Sequence, residues 1–173
     1  MSTKQQKVVM GFDLDDPKQF AEFAAKLKDN IVNKKLSAKD ALELPDDLME
    51  NVYAMAYELL NKGHPDQAKE MFAFIGGLDP ANFKYIFGYA ACSHQLKDYN
   101  EALRAYTITS ALNPQNPLSA FYCADCFLNL GQPELAVNSL MTCIRLSSGH
   151  PEFKKLEDQA ILLAEQISDT ISL

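Results

Sequence analysis

The chain has 173 residues, of which 47% are hydrophobic and 23% are charged, and its formal net charge is -7. This size and composition are typical of one globular domain. The negative charge argues against a nucleic-acid partner or an anionic membrane surface. Its apolar runs are too short for a signal-peptide core or a membrane span, so we expect a protein of the cytosol.

The N-terminal part of the chain is predicted to combine a disordered start with helices. Residues 1–14 form the disordered part. Asp16 then caps a helix that has Pro17 at its first position and ends near Asn33. A second, shorter helix completes a helical segment that spans residues 15–48.

The first of these helices has one apolar face, and such a face needs a partner. It could pack on the first repeat described below, on another copy of the protein, or on both. The apolar face consists of Phe20, Phe23, Ala24, Leu27 and Ile31.

An internal repeat of 34 residues follows and ends at residue 150. Each copy has Ala at the same two places, and a large side chain follows the second Ala by one helical turn on the same face. This period is typical of tetratricopeptide helix-turn-helix units. We therefore predict an all-α fold in which three repeats (49–82, 83–116 and 117–150) form a superhelical solenoid. The repeated residues are Ala56, Ala68 and Phe72; Ala90, Ala102 and Tyr106; and Ala124, Ala136 and Leu140.

The last segment, residues 151–173, is predicted to be a capping helix. It begins at Pro151, extends to about Ser168 and has one apolar side. Because the last repeat of a solenoid exposes a hydrophobic face that must be covered, this helix is expected to pack on the third repeat.

The first helix of each repeat is expected to form the concave wall with which solenoids bind their partners. Tyr53, Phe87 and Phe121 share one register on this wall. Such a row suits an extended apolar peptide held by a few polar anchors. Alternatively, these side chains only pack against one another or against a neighbouring helix. The predicted partner-binding residues are Tyr53, Tyr57, Leu60, Lys84, Phe87, Ala91, His94, Leu118, Phe121, Asp125 and Leu128.

The sequence contains no recognisable catalytic or phosphate-binding motif, so we expect no enzyme, no cofactor and no metal site. Cys123 and Cys126 form a C-x-x-C pattern, which could indicate a redox or zinc site. However, the pair lies inside a predicted helix and has no second C-x-x-C or nearby His. We therefore interpret these residues as buried thiols that pack like small apolar side chains.

Three phrases of the sequence resemble the class II chaperones of bacterial type III secretion systems, which escort hydrophobic translocator proteins. They are Leu48–Ala56 (LMENVYAMA), Phe87–Cys92 (FGYAAC) and Ala124–Gly131 (ADCFLNLG). The likeness extends from about Ile31 to Glu165 and includes the three repeats between an N-terminal helical segment and a C-terminal helix.

The resemblance implies a groove that holds a short, extended, Pro-containing segment near the N-terminus of each translocator. It also implies a homodimer formed through the N-terminal helices. The residues implied for contact between the two copies are Phe20, Phe23, Leu27 and Ile31. Those implied to line the pockets are Tyr53, Tyr57, Phe87, Phe121 and Leu128, and those implied to meet polar groups of the guest are Lys84, His94 and Asp125.

The function predicted from the sequence is that of a cytosolic bacterial chaperone that keeps translocators soluble and ready for secretion. One alternative is a general scaffold that joins two folded proteins, with the apolar face of the first helix as its second surface. Another is an enzyme that uses the C-x-x-C pattern as a redox site.

Overall fold

A computed structural model describes residues 8–171 of the chain. Helices dominate these residues, and each long helix from the third onward packs against the next one along the chain. The predicted all-α fold is therefore confirmed. The helices are α1 (Pro17–Lys28), α2 (Ala38–Ala41), α3 (Asp46–Asn61), α4 (Pro65–Leu78), α5 (Phe83–Gln95), α6 (Tyr99–Leu112), α7 (Leu118–Asn129), α8 (Pro133–Ser147) and α9 (Lys154–Ile171).

Shorter elements flank these helices. A π-helical turn (Asp29–Asn33) extends α1 as far as the predicted end of the first helix, and a 3-10 turn (Pro151–Phe153) precedes α9. Strands β1 (Val8–Val9) and β2 (Phe12–Asp13) pair antiparallel before α1.

The hairpin β1–β2 differs from the disordered start that the sequence predicts. Its tight turn needs left-handed backbone, which Gly11 adopts with a φ of 81°. The hairpin is held on α1 by Phe12, whose ring centroid lies 6.1 Å from that of Phe23. This contact between two aromatic rings explains why the segment is ordered. Residues 1–7 of the predicted disordered part lie outside the described residues.

The start of α1 follows the prediction. The side chain of Asp16 accepts a hydrogen bond of 2.9 Å from the backbone N–H of Lys18, and Pro17 occupies the first helical turn. The N–H groups at a helix start favour a negative charge. The bond from the backbone of Lys18 is the main reason why the pKa of Asp16 is lowered.

The repeated small and large residues form the contacts between the paired helices. The six alanines of the 34-residue register are all fully buried, as are the large residues that follow them by one turn. Small side chains allow two helices to approach closely, and the large ones fill the space beside them. The register seen in the sequence is therefore the packing register of the core.

Helix α9 packs against α8. Its Ala160, Ala164 and Ile167 belong to the same buried cluster as Ala124 and Leu140 of the third repeat. No helix within residues 8–171 is long and apolar enough to cross a membrane.

Candidate functional site

Helices α3, α5 and α7 carry four rows of side chains at a spacing of 34 residues, and we call the surface formed by the exposed and half-buried members of these rows the inner face. A row contains one residue from each helix, so neighbouring members of a row lie on successive repeats. The four rows are Glu50, Lys84 and Leu118; Tyr53, Phe87 and Phe121; Tyr57, Ala91 and Asp125; and Leu60, His94 and Leu128.

The aromatic rings of α3 are anchored on one side and exposed on the other. The Tyr53 ring meets the buried Phe72 edge-on, with centroids 5.8 Å apart. On its other side it stacks on Tyr57 at 6.2 Å, and Tyr57 is 52% exposed. The pair thus offers an aromatic surface that is held in place by the core.

Phe87 occupies the middle of the inner face. Its ring stacks on Phe83 at 5.3 Å and meets Tyr106 edge-on at 5.3 Å and Tyr122 edge-on at 5.7 Å. Phe121, on α7, also packs edge-on against Tyr122, at 5.9 Å. Phe87 and Phe121 are both half-buried, so each keeps part of its ring at the surface.

Tyr106 and Tyr122 are supporting residues that the sequence analysis did not assign to this site. They stack on each other at 5.2 Å beneath Phe87. The sequence predicts Tyr106 only as a core residue. The position of Tyr122, one helical turn after Leu118, was the only available signal for its role, because such residues share a helix face.

The first row carries an ion pair. The Lys84 Nζ lies 3.2 Å from Glu50 Oε1 and 5.5 Å from the centroid of the Tyr53 ring. The hydrogen bond to Glu50 is the main cause that raises the pKa of Lys84. Both side chains are more than half exposed, so solvent screens the pair. Lys84 can therefore exchange Glu50 for a polar group of a guest.

A second polar contact joins α5 to α7. The Nε2 atom of His94 lies 2.5 Å from Oδ2 of Asp125, and the Nδ2 group of Asn129 donates to the backbone carbonyl of Asp125 at 2.9 Å. The His94 ring also packs edge-on against Tyr122, at 6.1 Å. Lys84 and His94 thus each face a carboxylate, and a guest with an uncharged, hydrogen-bonding backbone fits this arrangement.

Most of the predicted binding residues are exposed or half-buried, but Leu60 is buried. Only 9% of Leu60 is exposed, and the residue packs in the core cluster with Ala56, Phe72 and Cys92. Its place in the last turn of α3 turns it towards the packed helices instead of the open surface. Tyr57 and Lys84 are exposed, and the half-buried members of the predicted set are Tyr53, Phe87, Ala91, His94, Leu118, Phe121, Asp125 and Leu128.

The C-x-x-C pattern lies in the core. Cys123 and Cys126 are buried, as are Cys92 and Cys143. Burial raises the pKa of Cys123 to about 11 and the pKa of Cys126 to about 12. Because the thiolate is the reactive form of cysteine, these groups are poor nucleophiles at neutral pH.

We therefore expect the native protein to resist thiol-labelling reagents at mildly alkaline pH. All four thiols should react with Ellman's reagent in denaturant, whereas the native chain should react at least about 100-fold more slowly, because only a small fraction of each buried thiol is ionised. Absorbance measured against time gives both rates. Rapid labelling of one native thiol, lost in the Cys123→Ser variant, would instead indicate a reactive C-x-x-C site.

Two family models for the tetratricopeptide repeat match the chain, one over residues 83–116 and the other over residues 124–150. The first match covers the second predicted repeat, and the second lies within the third. Together with the helix pairs of the structure, they confirm the predicted superhelical repeat fold.

The chain is also similar to chaperones of bacterial secretion systems. The chaperone protein SicA of Salmonella typhimurium is 27% identical over 138 residues, which are 80% of this chain and 81% of SicA. The type III secretion chaperone SycD of Yersinia enterocolitica, solved in complex with a peptide of the translocator YopD, is 25% identical with a TM-score of 0.71, covering 74% of this chain and 98% of SycD. SycD has also been solved as an alternative dimer.

A third similar structure is PcrH in complex with the chaperone binding region of PopD, with 26% identity and a TM-score of 0.72. The match covers 73% of this chain and 96% of PcrH, and PcrH comes from Pseudomonas aeruginosa. These comparisons confirm the resemblance to the class II chaperones. The relatives are chaperones and not enzymes.

Proposed function

We propose that this protein is a class II chaperone of a type III secretion system that binds hydrophobic translocators in the bacterial cytoplasm. The inner face holds an extended, Pro-containing segment of the translocator, and the complex keeps the translocator soluble until secretion. A translocator must later enter a membrane, so its apolar segments would otherwise aggregate.

The observation that carries this proposal is the row of aromatic side chains on the inner face. Tyr53, Phe87 and Phe121 lie in one register, are each anchored from below and are each half-buried. Extended peptides are recognised by pockets for alternate side chains together with polar contacts to the backbone. The pairs Glu50–Lys84 and His94–Asp125 provide the polar groups beside this row.

Co-production with a client tests the function. The chain and a translocator encoded in the same gene cluster are produced together in a bacterial host, and the soluble fraction of the translocator is measured. A chaperone makes an otherwise insoluble client soluble, whereas a scaffold for folded proteins leaves it in the pellet. The proposal fails if the translocator stays insoluble while the chain itself remains soluble and helical.

A homodimer is the second part of the proposal. On α1 and the turn that follows it, Phe20 is 52% and Ile31 is 42% exposed, while Phe23 and Leu27 are half-buried. Phe23 is partly covered by the hairpin through Phe12. The exposed members of this apolar face therefore make the main contact between copies.

The variant Phe20→Asp is expected to shift the protein from dimer to monomer in sedimentation velocity. A charge placed in an apolar interface weakens association by about 100-fold. The matched control is Phe74→Asp on α4, because Phe74 is 62% exposed and does not belong to the apolar face of α1. A Phe20→Asp protein that sediments like the wild type would contradict a dimer formed through the apolar face of α1.

A further inference from the structure

An open apolar cavity lies beyond the end of the inner face. It has a volume of about 530 Å³ and opens to solvent between the end of α7, the start of α8 and the C-terminal half of α9. Leu128, Pro133, Leu163 and Ile167 form its apolar walls. Its volume falls within the range of roughly 300 to 1,000 Å³ that is typical of ligand pockets.

The cavity forms where α9 packs on the third repeat. The buried face of α9 packs into the core of the third repeat through Ala160 and Ala164. Leu163 projects from the same helix and is only half-buried, as is Leu128 on α7. The two side chains contact one buried cluster and still keep apolar surface that residues 8–171 leave uncovered.

Leu128 connects this cavity to the inner face. It is the last member of the row that includes His94, and it also lines the cavity. A segment that lies along the inner face and continues past Leu128 therefore reaches the cavity directly.

The rim of the cavity carries one carboxylate and two uncharged polar side chains. Glu134 lies in the first turn of α8 and is exposed at the rim. Gln166 and Thr170 of α9 complete the polar part of the lining. A carboxylate beside apolar walls complements an apolar side chain that has a basic neighbour.

We infer that this cavity is an additional anchor site for the same client, occupied by a Leu, Ile or Met side chain of the client with a Lys or Arg next to it. This inference rests on the proposed function, because the client must first lie on the inner face. The site lengthens the recognised segment beyond the aromatic row and adds a preference for an apolar–basic pair at one end.

The test uses a fluorescein-labelled peptide from the N-terminal part of the translocator encoded in the same gene cluster, and fluorescence anisotropy measures its binding. Two sets of longer peptides carry a Leu–Lys pair on short Gly/Ser spacers, one set at each end, and matched peptides carry Ser–Ser instead. One Leu–Lys set should bind the wild-type chain about tenfold more tightly than its Ser–Ser match, as burial of a leucine side chain predicts.

Variants of α9 locate the effect. Gln166→Trp fills the cavity and should abolish the tenfold gain, while the unextended peptide binds as before. Gln166→Ala leaves the cavity open and should keep the gain. Glu165→Trp places the same indole on another side of the helix and serves as the control. Glu134→Gln should reduce the preference for Lys over a neutral residue at the second position of the pair.

The outcomes separate the two proposals. If neither extension tightens binding, or if Gln166→Trp leaves the gain intact, the cavity is not an anchor for the client. A change in the oligomeric state of Gln166→Trp without any effect on peptides would assign the cavity to a second copy and overturn the inference. If the unextended peptide does not bind, the proposed function loses its support, and the anchor site falls with it.

Discussion

Under the proposed function, replacing Phe87 with Asp is expected to weaken binding of a peptide from the translocator encoded in the same gene cluster by about 100-fold, which corresponds to roughly 3 kcal/mol. The ring is held in the middle of the inner face by Phe83, Tyr106 and Tyr122. Asp removes the apolar contact and leaves an unpaired charge where the peptide would cover it, and such a charge is costly to desolvate. Fluorescence anisotropy of the labelled peptide measures the loss.

Two controls distinguish lost binding from lost folding. Phe74→Asp makes the same chemical change at an exposed site on α4 and should bind like the wild type. Phe87→Ala keeps the site uncharged and should lose less affinity than Phe87→Asp. Circular dichroism should show the same helix content in all variants. If a folded Phe87→Asp protein binds the peptide as tightly as the wild type, the inner face is not the binding site.

The fold could be predicted because the small residues that allow the helices to pack recur at a fixed spacing in the sequence. The positions of Ala56, Ala90 and Ala124 in the sequence already contain the contact pattern, since a fully buried Ala at a fixed spacing allows helices to approach only in one register. A single repeat would have left helix pairing ambiguous. Three copies in the same register do not.

The binding surface could be predicted only in part, because a helical register shows which face a residue occupies but not how deep the face lies. Leu60 shares the register of His94 and Leu128, yet it is almost fully buried. The contact of His94 with Asp125 also joins residues 31 positions apart. That contact depends on how two repeats are rotated against each other, which no local pattern contains.

The N-terminal hairpin was missed for a different reason. A hairpin of two-residue strands is not stable alone, and its order comes from the contact of Phe12 with Phe23 on α1. The residues of β1 and β2 are too few to show a strand period. Only the contact between elements distinguishes this segment from a disordered one.

The second large effect is expected from Gly88→Ala, which should lower the free energy of unfolding by about 3 kcal/mol. A Cβ atom at this position would lie 2.6 Å from Cζ of the Phe72 ring, because α5 lies close to this side chain of α4. Phe72 is fully buried and also meets Tyr53 edge-on, so a shift of its ring would disturb that contact. Urea unfolding followed by circular dichroism gives the change.

Gly77→Ala is the matched control, because Gly77 is also helical but has nothing within 4 Å of the added Cβ. Without a clash, the substitution should be neutral or stabilise the helix by roughly 0.5–1 kcal/mol. The opposite signs of the two Gly→Ala changes would show that contact with Phe72, and not helix propensity, determines the effect at Gly88.

The double variant Gly88→Ala with Phe72→Leu tests the contact itself. Leu is smaller than Phe, so the added methyl group should cost less in this background, and the two changes together should destabilise the protein by less than the sum of their separate effects. Strict additivity would mean that Phe72 does not limit the approach of α4 to α5.

Because Gly88 is the neighbour of Phe87 on α5, the same clash should displace that helix and weaken peptide binding. This links the spacing of the core helices to the shape of the inner face.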